Sequence, residues 1–254
     1  MPIVDDFGLF SATDRATLQA AEEGLVTGAD VMMGQPTAKY AIDEMREYPD
    51  VSLGVHINFS PGVAQRSNGS EALAFRSDPE GGMAQLITQT RRQIGAFQDM
   101  TGQDPHHIST HNHTHTNLGG QVFPQFIEAV LDTVGGDGAT LIRGVDTQQI
   151  RHCRATTLKQ GQPPLSPKAF GQLLQANEHV DKPLDLLVHP GLPLHPNQFV
   201  MLSDDYTLDM RQQDLAGLRT IIKSGVVEQA DYKLVSPTEW LTRRSKKWPG
   251  PKTK

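Results

Sequence analysis

The amino-acid sequence predicts an α/β fold with a mainly parallel β-sheet. Short apolar runs alternate with longer segments of helical periodicity about seven times along the 254 residues, an order that is typical of βα units. Ionisable residues fall at or near the carboxyl ends of the predicted strands, the edge at which such sheets bind ligands. The pattern is compatible with a closed or nearly closed barrel and with a doubly wound sheet.

Seven segments are predicted as strands because they are short, apolar or alternating, and bounded by glycine, proline or charged residues. They lie at 3–4, 26–33, 51–59, 107–115, 139–145, 184–189 and 232–235. In the third, Val51, Leu53 and Val55 occupy one face, while small or polar residues around His56 occupy the other. This alternation predicts a barrel wall whose inner face is functional.

Helices are predicted where apolar residues recur every three or four positions. The ranges are 11–25, 36–48, 83–102, 123–134, 170–174, 210–222 and a short helix from 237. Between these elements, 60–82, 146–166 and 192–208 are predicted to be long loops that shape a cleft. We expect one domain over 1–242, followed by a basic, flexible tail at 243–254.

Composition narrows the class of protein. The net charge of −6 gives no general attraction to nucleic acid or to an anionic membrane. No apolar run approaches the length of a transmembrane helix, and the first residues lack the apolar core of a signal peptide. Cys153 is the single cysteine, which excludes an internal disulfide framework. We therefore expect a cytoplasmic protein that binds neither nucleic acid nor membranes.

The most unusual segment is 107–115, where four histidines fall on alternate positions: His107, His111, His113 and His115. In an extended strand these side chains share one face. Ile108 is the only apolar residue of the segment, whereas a core strand is rich in Val, Ile and Leu. The segment therefore predicts a metal or proton-transfer site, with a solvated histidine-rich loop as the alternative.

The predicted strand ends supply a mixed oxygen and nitrogen ligand set. Asp6, His56 and His111 would hold a metal ion and leave positions open for water and substrate. Such a set suits Zn²⁺ better than Ca²⁺. Asp5 could orient or deprotonate a water there, provided that the chain turns at Phe7–Gly8 so that neighbouring carboxylates reach one site.

Two further residues are candidates for catalysis. His189 follows a different strand and could act as a general acid that protonates a leaving amine. Arg143 could stabilise a charged transition state or tune a carboxylate. Each residue also has a purely structural interpretation: a turn for the Asp pair, a buried lumen histidine for His56, a turn contact for His189 and an ion pair for Arg143.

These residues and their order resemble the YdjC-like carbohydrate deacetylases, which include chitooligosaccharide deacetylases. The similar motifs are Asp-Asp-Phe-Gly at 5–8, Glu-Gly-Leu-Val-Thr at 23–27, Leu-Gly-Val-His at 53–56, the histidines of 107–115, the arginine at 143 and Val-His-Pro-Gly at 188–191. Ser109 stands where the family usually has Asp. The resemblance covers most of the chain.

The resemblance implies a distorted, roughly seven-stranded (β/α) barrel that removes acetyl groups from N-acetylated sugars with one divalent metal. Carried over to this chain, it implies Asp6, His56 and His111 as metal ligands, Asp5 as catalytic base and His189 as acid. The remaining candidates for supporting the ligands or contacting the sugar are His107, His113, His115 and Asn58. Zn²⁺ is the favoured ion, with Mg²⁺ as the second choice, and the outer helices of such barrels could support a homodimer.

The same residues are also compatible with two other functions. One is a different metal-dependent hydrolase, a phosphoesterase or amidohydrolase, whose two metals would use the His111-x-His113 pair. The other is a non-catalytic sugar- or metal-binding protein. A binding protein needs neither a base nor an acid, so the presence of both Asp5 and His189 favours an enzyme.

Overall fold

The computed structural model describes residues 1–58, 79–111, 122–134, 140–143, 151–153, 166–177, 183–194 and 207–247. The strands are β1 (Pro2–Phe7), β2 (Gly28–Val31), β3 (Ser52–Ile57), β4 (His107–Thr110), β5 (Leu141–Ile142), β6 (Arg151–Cys153) and β7 (Leu184–Val188). The helices are α1 (Ser11–Glu22), α2 (Ala38–Met45), α3 (Pro79–Thr101), α4 (Pro124–Thr133), α5 (Pro167–Gln175), α6 (Leu208–Lys223), α7 (Val226–Gln229) and α8 (Pro237–Lys247).

All seven strands pair in parallel in one sheet of order β5-β4-β3-β2-β1-β7-β6. The α/β class and the parallel sheet are therefore confirmed. The described residues show no pairing between β5 and β6, the two edge strands. The closed seven-stranded barrel is thus not confirmed.

The sheet is nevertheless strongly curled. β5 and β7 are five positions apart, which in a flat sheet would separate them by about 24 Å. Yet Arg143, directly after β5, donates a hydrogen bond from Nη2 to Asp185 Oδ1 of β7 at 2.9 Å. One side chain can join these strands only if the sheet bends round so that its inner face encloses a lumen.

The alternation of side chains along each strand fills the two faces differently. Val55 and Ile57 of β3 point outward into the large core beneath the helices, so His56 between them points inward. A small apolar cluster of Met1, Ile3 and Leu141 packs against the carboxy-terminal helix α8. Ile3 and Leu141 precede Asp5 and Arg143 by two residues, and the same inner face therefore changes from apolar to charged towards the carboxyl ends of the strands.

Three predicted elements differ from the structure. The strand predicted for 107–115 ends at Thr110, where pairing with Ile57 stops, and His111 lies outside the strand. Residues 232–235 form no strand, because their apolar side chains pack on the core without a strand partner. Conversely, β6 lies in the predicted loop 146–166, since a three-residue edge strand, Arg-His-Cys, carries no periodicity.

The carboxy-terminal part is helical further than expected. Helix α8 extends to Lys247, so the first residues of the predicted basic tail belong to a helix. The three long predicted loops fall mainly outside the described residues. None of the helices within the described ranges combines the length and apolarity that crossing a bilayer requires.

Candidate active site

The predicted site residues lie at one end of the curled sheet. Asp5 and Asp6 lie near the end of β1, His56 is near the end of β3, and His111 and Arg143 directly follow β4 and β5. His189 directly follows β7. Because all strands are parallel, their carboxyl ends meet at the same rim, and the curl turns these side chains towards each other.

A backbone turn at Asp6 allows both carboxylates to reach the rim. The pairing of β1 with β2 is interrupted between Val4 and Phe7, and Asp6 has φ +63°. This left-handed conformation is uncommon for residues other than glycine, although Asp and Asn tolerate it best. The turn predicted at Phe7–Gly8 is therefore centred one residue earlier. Gly8 has φ +84° and takes part in the same turn.

The residue that secures this turn is Asp14. Its Oδ1 accepts a hydrogen bond from the Gly8 backbone N–H at 2.7 Å, and its side chain is fully buried. Burial raises the pKa of Asp14 to about 6, against the hydrogen bonds that favour its ionised form. A group whose pKa is higher in the folded than in the unfolded chain contributes stability at low pH that is lost as the pH rises through the folded value.

We expect Asp14→Asn to stabilise the protein above pH 6. The side-chain amide oxygen of the variant can still accept the hydrogen bond from the Gly8 N–H, and the variant has no buried charge at this position. A shift from 3.8 to about 6 corresponds to about 3 kcal/mol at most. The measurement is thermal unfolding of both proteins between pH 4 and pH 8. The difference in melting temperature should grow with pH, and a difference that is constant across this range would contradict the assignment.

Asp6, His56 and His111, hereafter the ligand triad, bring three potential ligand atoms close together. His56 Nε2 lies 3.4 Å from Asp6 Oδ1, and His111 Nδ1 lies 3.3 Å from the same oxygen. The two ring nitrogens are 3.3 Å apart. These atoms belong to a group of residues that could hold one ion.

The spacing of the ligand triad fits a tetrahedral metal. Ligand atoms about 2.0–2.2 Å from a tetrahedral ion are separated by about 3.3–3.6 Å, whereas octahedral Mg²⁺ at about 2.1 Å would bring neighbouring ligands to about 3.0 Å. Asp6 Oδ1 is also buried, and it accepts no hydrogen bond of ordinary geometry from the described residues. A buried carboxylate oxygen without a hydrogen-bond donor destabilises the fold unless a cation or a water molecule binds to it.

The second oxygen of Asp6 is fixed by an arginine from a distant helix. Arg211 of α6 donates a hydrogen bond from Nη2 to Asp6 Oδ2 at 2.6 Å. Burial opposes the ionised form of Asp6, but the charge of Arg211 and the contact with His111 hold its pKa well below the usual range. Asp6 is therefore a carboxylate at neutral pH, as a metal ligand must be.

Arg143 lies at the centre of a buried ionic cluster with Asp5, Asp30 and Asp185, hereafter the arginine cluster. The guanidinium is fully buried and donates from Nη1 to Asp5 Oδ1 at 2.8 Å and to Asp30 Oδ2, and from Nε and Nη2 to Asp185 Oδ1 at 3.2 and 2.9 Å. All three nitrogens are thus engaged with carboxylates. Of the two roles expected for Arg143, tuning a carboxylate fits this enclosure, and direct contact with a substrate does not.

The arginine cluster also limits the number of metal ions. Asp5, Asp30 and His56 form a second group of potential ligands. The Arg143 Nη1 atom, however, donates to both carboxylates of that group. A guanidinium already supplies the positive charge there, so within the described residues the ligand triad is the better cation site.

His56 has a polar partner on its other ring nitrogen. Its Nδ1 lies 2.7 Å from Ser109 Oγ, and Ser109 donates a hydrogen bond to Asp30 Oδ2. His107 Nε2 lies 3.0 Å from Asp30 Oδ1 and is fully buried. His107 therefore belongs beneath the site, where it contacts Asp30, and its burial is incompatible with binding a substrate.

His189 lies beside the two carboxylates of β1. Burial lowers its pKa to about 3, although the negative charges of Asp6 and Asp5 act in the opposite direction. Its backbone N–H donates to Asp214 Oδ2 at 3.1 Å, which anchors the turn after β7 to α6. At neutral pH the imidazole of His189 is therefore uncharged.

Three predicted candidates are less informative. Asn58 is buried, and its backbone N–H donates to Gln93 Oε1 at 3.0 Å, which ties the end of β3 to α3. His113 and His115 lie outside the described residues.

Comparison with known proteins places this geometry in a family. The model of the family described as YdjC-like protein matches residues 3–225. The chain belongs to the YdjC-like family. The match includes the ligand triad, Asp5, Arg143 and His189, so the resemblance seen in the motifs is confirmed.

Curated relatives of this YdjC-like chain are similar over part of their length. A carbohydrate deacetylase of Vibrio cholerae is 26% identical over 127 residues, which is 45% of this chain and 49% of the relative. A chitooligosaccharide deacetylase of Serratia marcescens is 26% identical over 141 residues, which is 52% and 54% of the two chains. The chain thus spans about half the length of the curated relatives it matches.

Solved structures share the fold at low sequence identity. A protein of Enterococcus faecalis V583 whose name refers to cellobiose-phosphate cleavage has a TM-score of 0.69 at 15% identity, covering 93% of this chain and 96% of its own. A family 4 acetyl xylan esterase from Clostridium thermocellum, solved with a cobalt ion, has a TM-score of 0.50 at 15% identity, covering 96% and 90%. Both likenesses concern the fold alone.

Three residues that stabilise the site of this YdjC-like chain lie outside the sequence motifs: Asp30, Asp185 and Arg211. Asp30 and Asp185 are lone acidic residues inside the buried strands β2 and β7. A charge in an otherwise buried strand almost always has a partner, and this signal could have identified both aspartates. Arg211 lies on an amphipathic helix, where the sequence offers no such signal.

Proposed function

We propose that this protein is a metal-dependent hydrolase that removes acetyl groups from N-acetylated sugars or oligosaccharides. The observation that carries the proposal is the ligand triad, whose three atoms lie 3.3–3.4 Å apart at the rim of the sheet. Relatives named carbohydrate deacetylase and chitooligosaccharide deacetylase support the substrate class. Spacing that suits a tetrahedral ion supports Zn²⁺ over Mg²⁺.

The proposed ligand triad holds the ion through one carboxylate and two imidazoles. When bound, the ion would supply Lewis-acid polarisation of the acetyl group and acidify water. Arg211 keeps Asp6 ionised, and Ser109 holds the ring of His56. The protein residues thereby orient the ligands before the ion arrives.

Asp5 is the proposed base. Its Oδ1 accepts from Arg143 at 2.8 Å, and this bond fixes the carboxylate plane at the rim. The other oxygen, Oδ2, lies 3.8 Å from His56 Nδ1, next to the ligand triad. Asp5 would accept one proton from the attacking water as the C–O bond forms at the acetyl carbon.

His189 is the proposed acid, and its low pKa determines how it acts. A neutral imidazole must first receive the proton that it later delivers to the amine. Asp5 is the source we propose, because giving up its proton restores a carboxylate whose negative charge favours the protonated imidazole of His189. As the C–N bond breaks, the amine takes this proton, which gives the free amino sugar and acetic acid, and the acid then releases its proton to solvent and leaves as acetate.

The alternative of a two-metal phosphoesterase or amidohydrolase has less support. The second group of acidic and histidine residues surrounds Arg143 and not an open position. His113, which that alternative requires, lies outside the described residues. A non-catalytic binding protein would not account for the placement of Asp5 and His189 beside the ligand triad.

The test is acetate release from diacetylchitobiose by the purified protein. We expect none after metal removal and recovery after addition of Zn²⁺, with Mg²⁺ less effective. Bound metal, measured by elemental analysis, should reach one ion per chain. A stoichiometric metal without acetate release from this or other N-acetylated sugars would refute the deacetylase activity, and an absence of metal binding would refute the site.

A further inference from the structure

The side-chain hydroxyl of Ser109 lies between a ring nitrogen and a carboxylate. Ser109 is 1% exposed and is the β4 residue paired directly with His56 of β3. Its Oγ is 2.7 Å from His56 Nδ1 and donates to Asp30 Oδ2. A hydroxyl has a single hydrogen, so the bond to Asp30 determines what Ser109 can offer to His56.

We propose that Asp30 and Ser109 are positioning residues that fix the tautomer of His56. Because Ser109 gives its hydrogen to Asp30, the hydrogen between Ser109 and His56 must belong to His56 Nδ1. The Nε2 atom then carries a lone pair directed at Asp6 and His111. The inference rests on the proposed function in that it treats His56 Nε2 as a metal ligand, and it adds the two residues that prepare this atom for the ion.

Arg143 makes this assignment independent of the ionisation of Asp30. Its Nη1 also donates to Asp30 Oδ2, so this oxygen must remain an acceptor. A proton on Asp30 would reside on Oδ1, which faces His107 Nε2 at 3.0 Å. Whether Asp30 is charged or neutral, Ser109 therefore finds an acceptor on Oδ2 and a donor on His56.

The contact between Asp30 and Ser109 spans the strand that lies between them. Asp30 lies on β2 and Ser109 on β4, with β3 between them, and Gly54 is the β3 residue paired with Asp30. A Cβ atom at Gly54 would lie 2.2 Å from Asp30 Oδ1 and 2.5 Å from His107 Cδ2. The missing side chain of Gly54 thus provides the space in which the Asp30 carboxylate reaches Ser109.

The experiment compares Ser109→Ala with a matched control, Ser52→Ala. Ser52 is also a buried serine of the sheet. It begins β3, whereas His56 lies near the end of that strand, and its Oγ is 2.6 Å from Thr238 Oγ1. Two quantities are measured at neutral pH: the tautomer of His56 in the metal-free protein, from nitrogen chemical shifts of ¹⁵N-histidine, and the Zn²⁺ dissociation constant, by competition with a chelator.

We expect His56 of the wild type to carry its hydrogen on Nδ1. In Ser109→Ala this preference should be lost, and Zn²⁺ should bind roughly 10- to 100-fold more weakly, the usual effect of removing a partner of a ligating histidine. Ser52→Ala should retain the wild-type tautomer and affinity. A hydrogen on Nε2 in the wild type, or unchanged affinity in Ser109→Ala, would overturn the inference.

The two readouts separate this inference from the proposed activity. The tautomer is observed without metal or substrate. If the tautomer and the affinities follow expectation while no N-acetylated sugar is hydrolysed, the roles of Asp30 and Ser109 stand and the deacetylase proposal fails. If acetate is released but His56 carries its hydrogen on Nε2, the opposite holds.

Discussion

Asp6→Asn is expected to abolish metal-dependent acetate release and to weaken Zn²⁺ binding by at least about 100-fold, more than the loss of a partner of a ligand causes. The carboxylate of Asp6 supplies the only negative charge of the ligand triad. Its Oδ2 is held by Arg211 at 2.6 Å, and its Oδ1 faces both imidazoles. In the variant the single amide oxygen pairs with Arg211, which directs the NH₂ group at the metal position.

Asparagine is chosen over alanine for a reason of backbone geometry. Asp6 has φ +63°, and asparagine is one of the few residues that adopts this conformation readily. An alanine would add backbone strain of about 1 kcal/mol or more, and a loss of activity could then reflect a displaced turn. With asparagine the turn should persist, so the circular dichroism of the metal-free variant should match the wild type, although loss of the charge that pairs with buried Arg211 lowers its unfolding temperature.

The matched control is Asp5→Asn, one residue earlier in β1. The amide oxygen can still accept from Arg143 Nη1, so the local structure should persist. We expect Zn²⁺ affinity within a few-fold of the wild type and a fall in kcat of about 10²–10⁴, the range for loss of a general base. Dissociation constants and acetate release are measured for both variants. Equal metal affinities in the two variants would contradict the separate roles of Asp5 and Asp6.

The location of the site could be predicted from the sequence because it depends on local patterns. Strands and helices alternate, and parallel strands end at one edge, so residues such as His56 and His189 at strand ends had to converge. The pattern could not show the extent of the curl. Strand β6 carries no periodicity, and whether the sheet closes depends on edge pairing that short strands do not encode.

The arrangement behind the ligands could not be predicted for a physical reason. Arg143 is 42 residues from Asp185 and 113 residues from Asp30, and pairs so distant in sequence leave no spacing to detect. The turn at Asp6 is a similar case. The motif suggested glycine as the flexible residue, and Gly8 does have a positive φ, but Asp6 also takes the left-handed conformation, which the motif did not indicate, and the hydrogen bond from Gly8 to Asp14 secures the turn.

Arg143→Met is expected to cause the largest loss of stability of any variant considered. The substitution keeps a long side chain but removes the guanidinium that donates to Asp5, Asp30 and Asp185, all of them buried. Breaking a buried ion pair by removing one partner costs about 3–5 kcal/mol. Because a domain is stable by only about 5–15 kcal/mol in total, the variant should lose a large share of its stability and unfold at a much lower urea concentration than the wild type.

The control is Arg219→Met, which removes an arginine with similar bonds in a half-buried position that water can reach. Arg219 donates from Nε and Nη2 to Glu23 at 2.8 and 2.6 Å, but its side chain is 32% exposed. Water reaches the half-buried Glu23, and Lys223 remains as a second cationic partner at 3.1 Å, so the expected loss is much smaller than for Arg143→Met. Urea unfolding of the metal-free proteins measures both variants. Losses of equal size would contradict the role assigned to burial.

A second substitution tests whether uncompensated charge is the cause. Asp185 accepts two hydrogen bonds from Arg143, at 3.2 and 2.9 Å, so Asp185→Asn should destabilise the wild type, where it removes the partner of a buried cation. In the Arg143→Met background the same change removes a buried anion that has lost its cation, and it should therefore stabilise the protein. This reversal of sign follows from charge compensation, whereas a loss of packing at Arg143 would leave the effect of Asp185→Asn destabilising in both backgrounds.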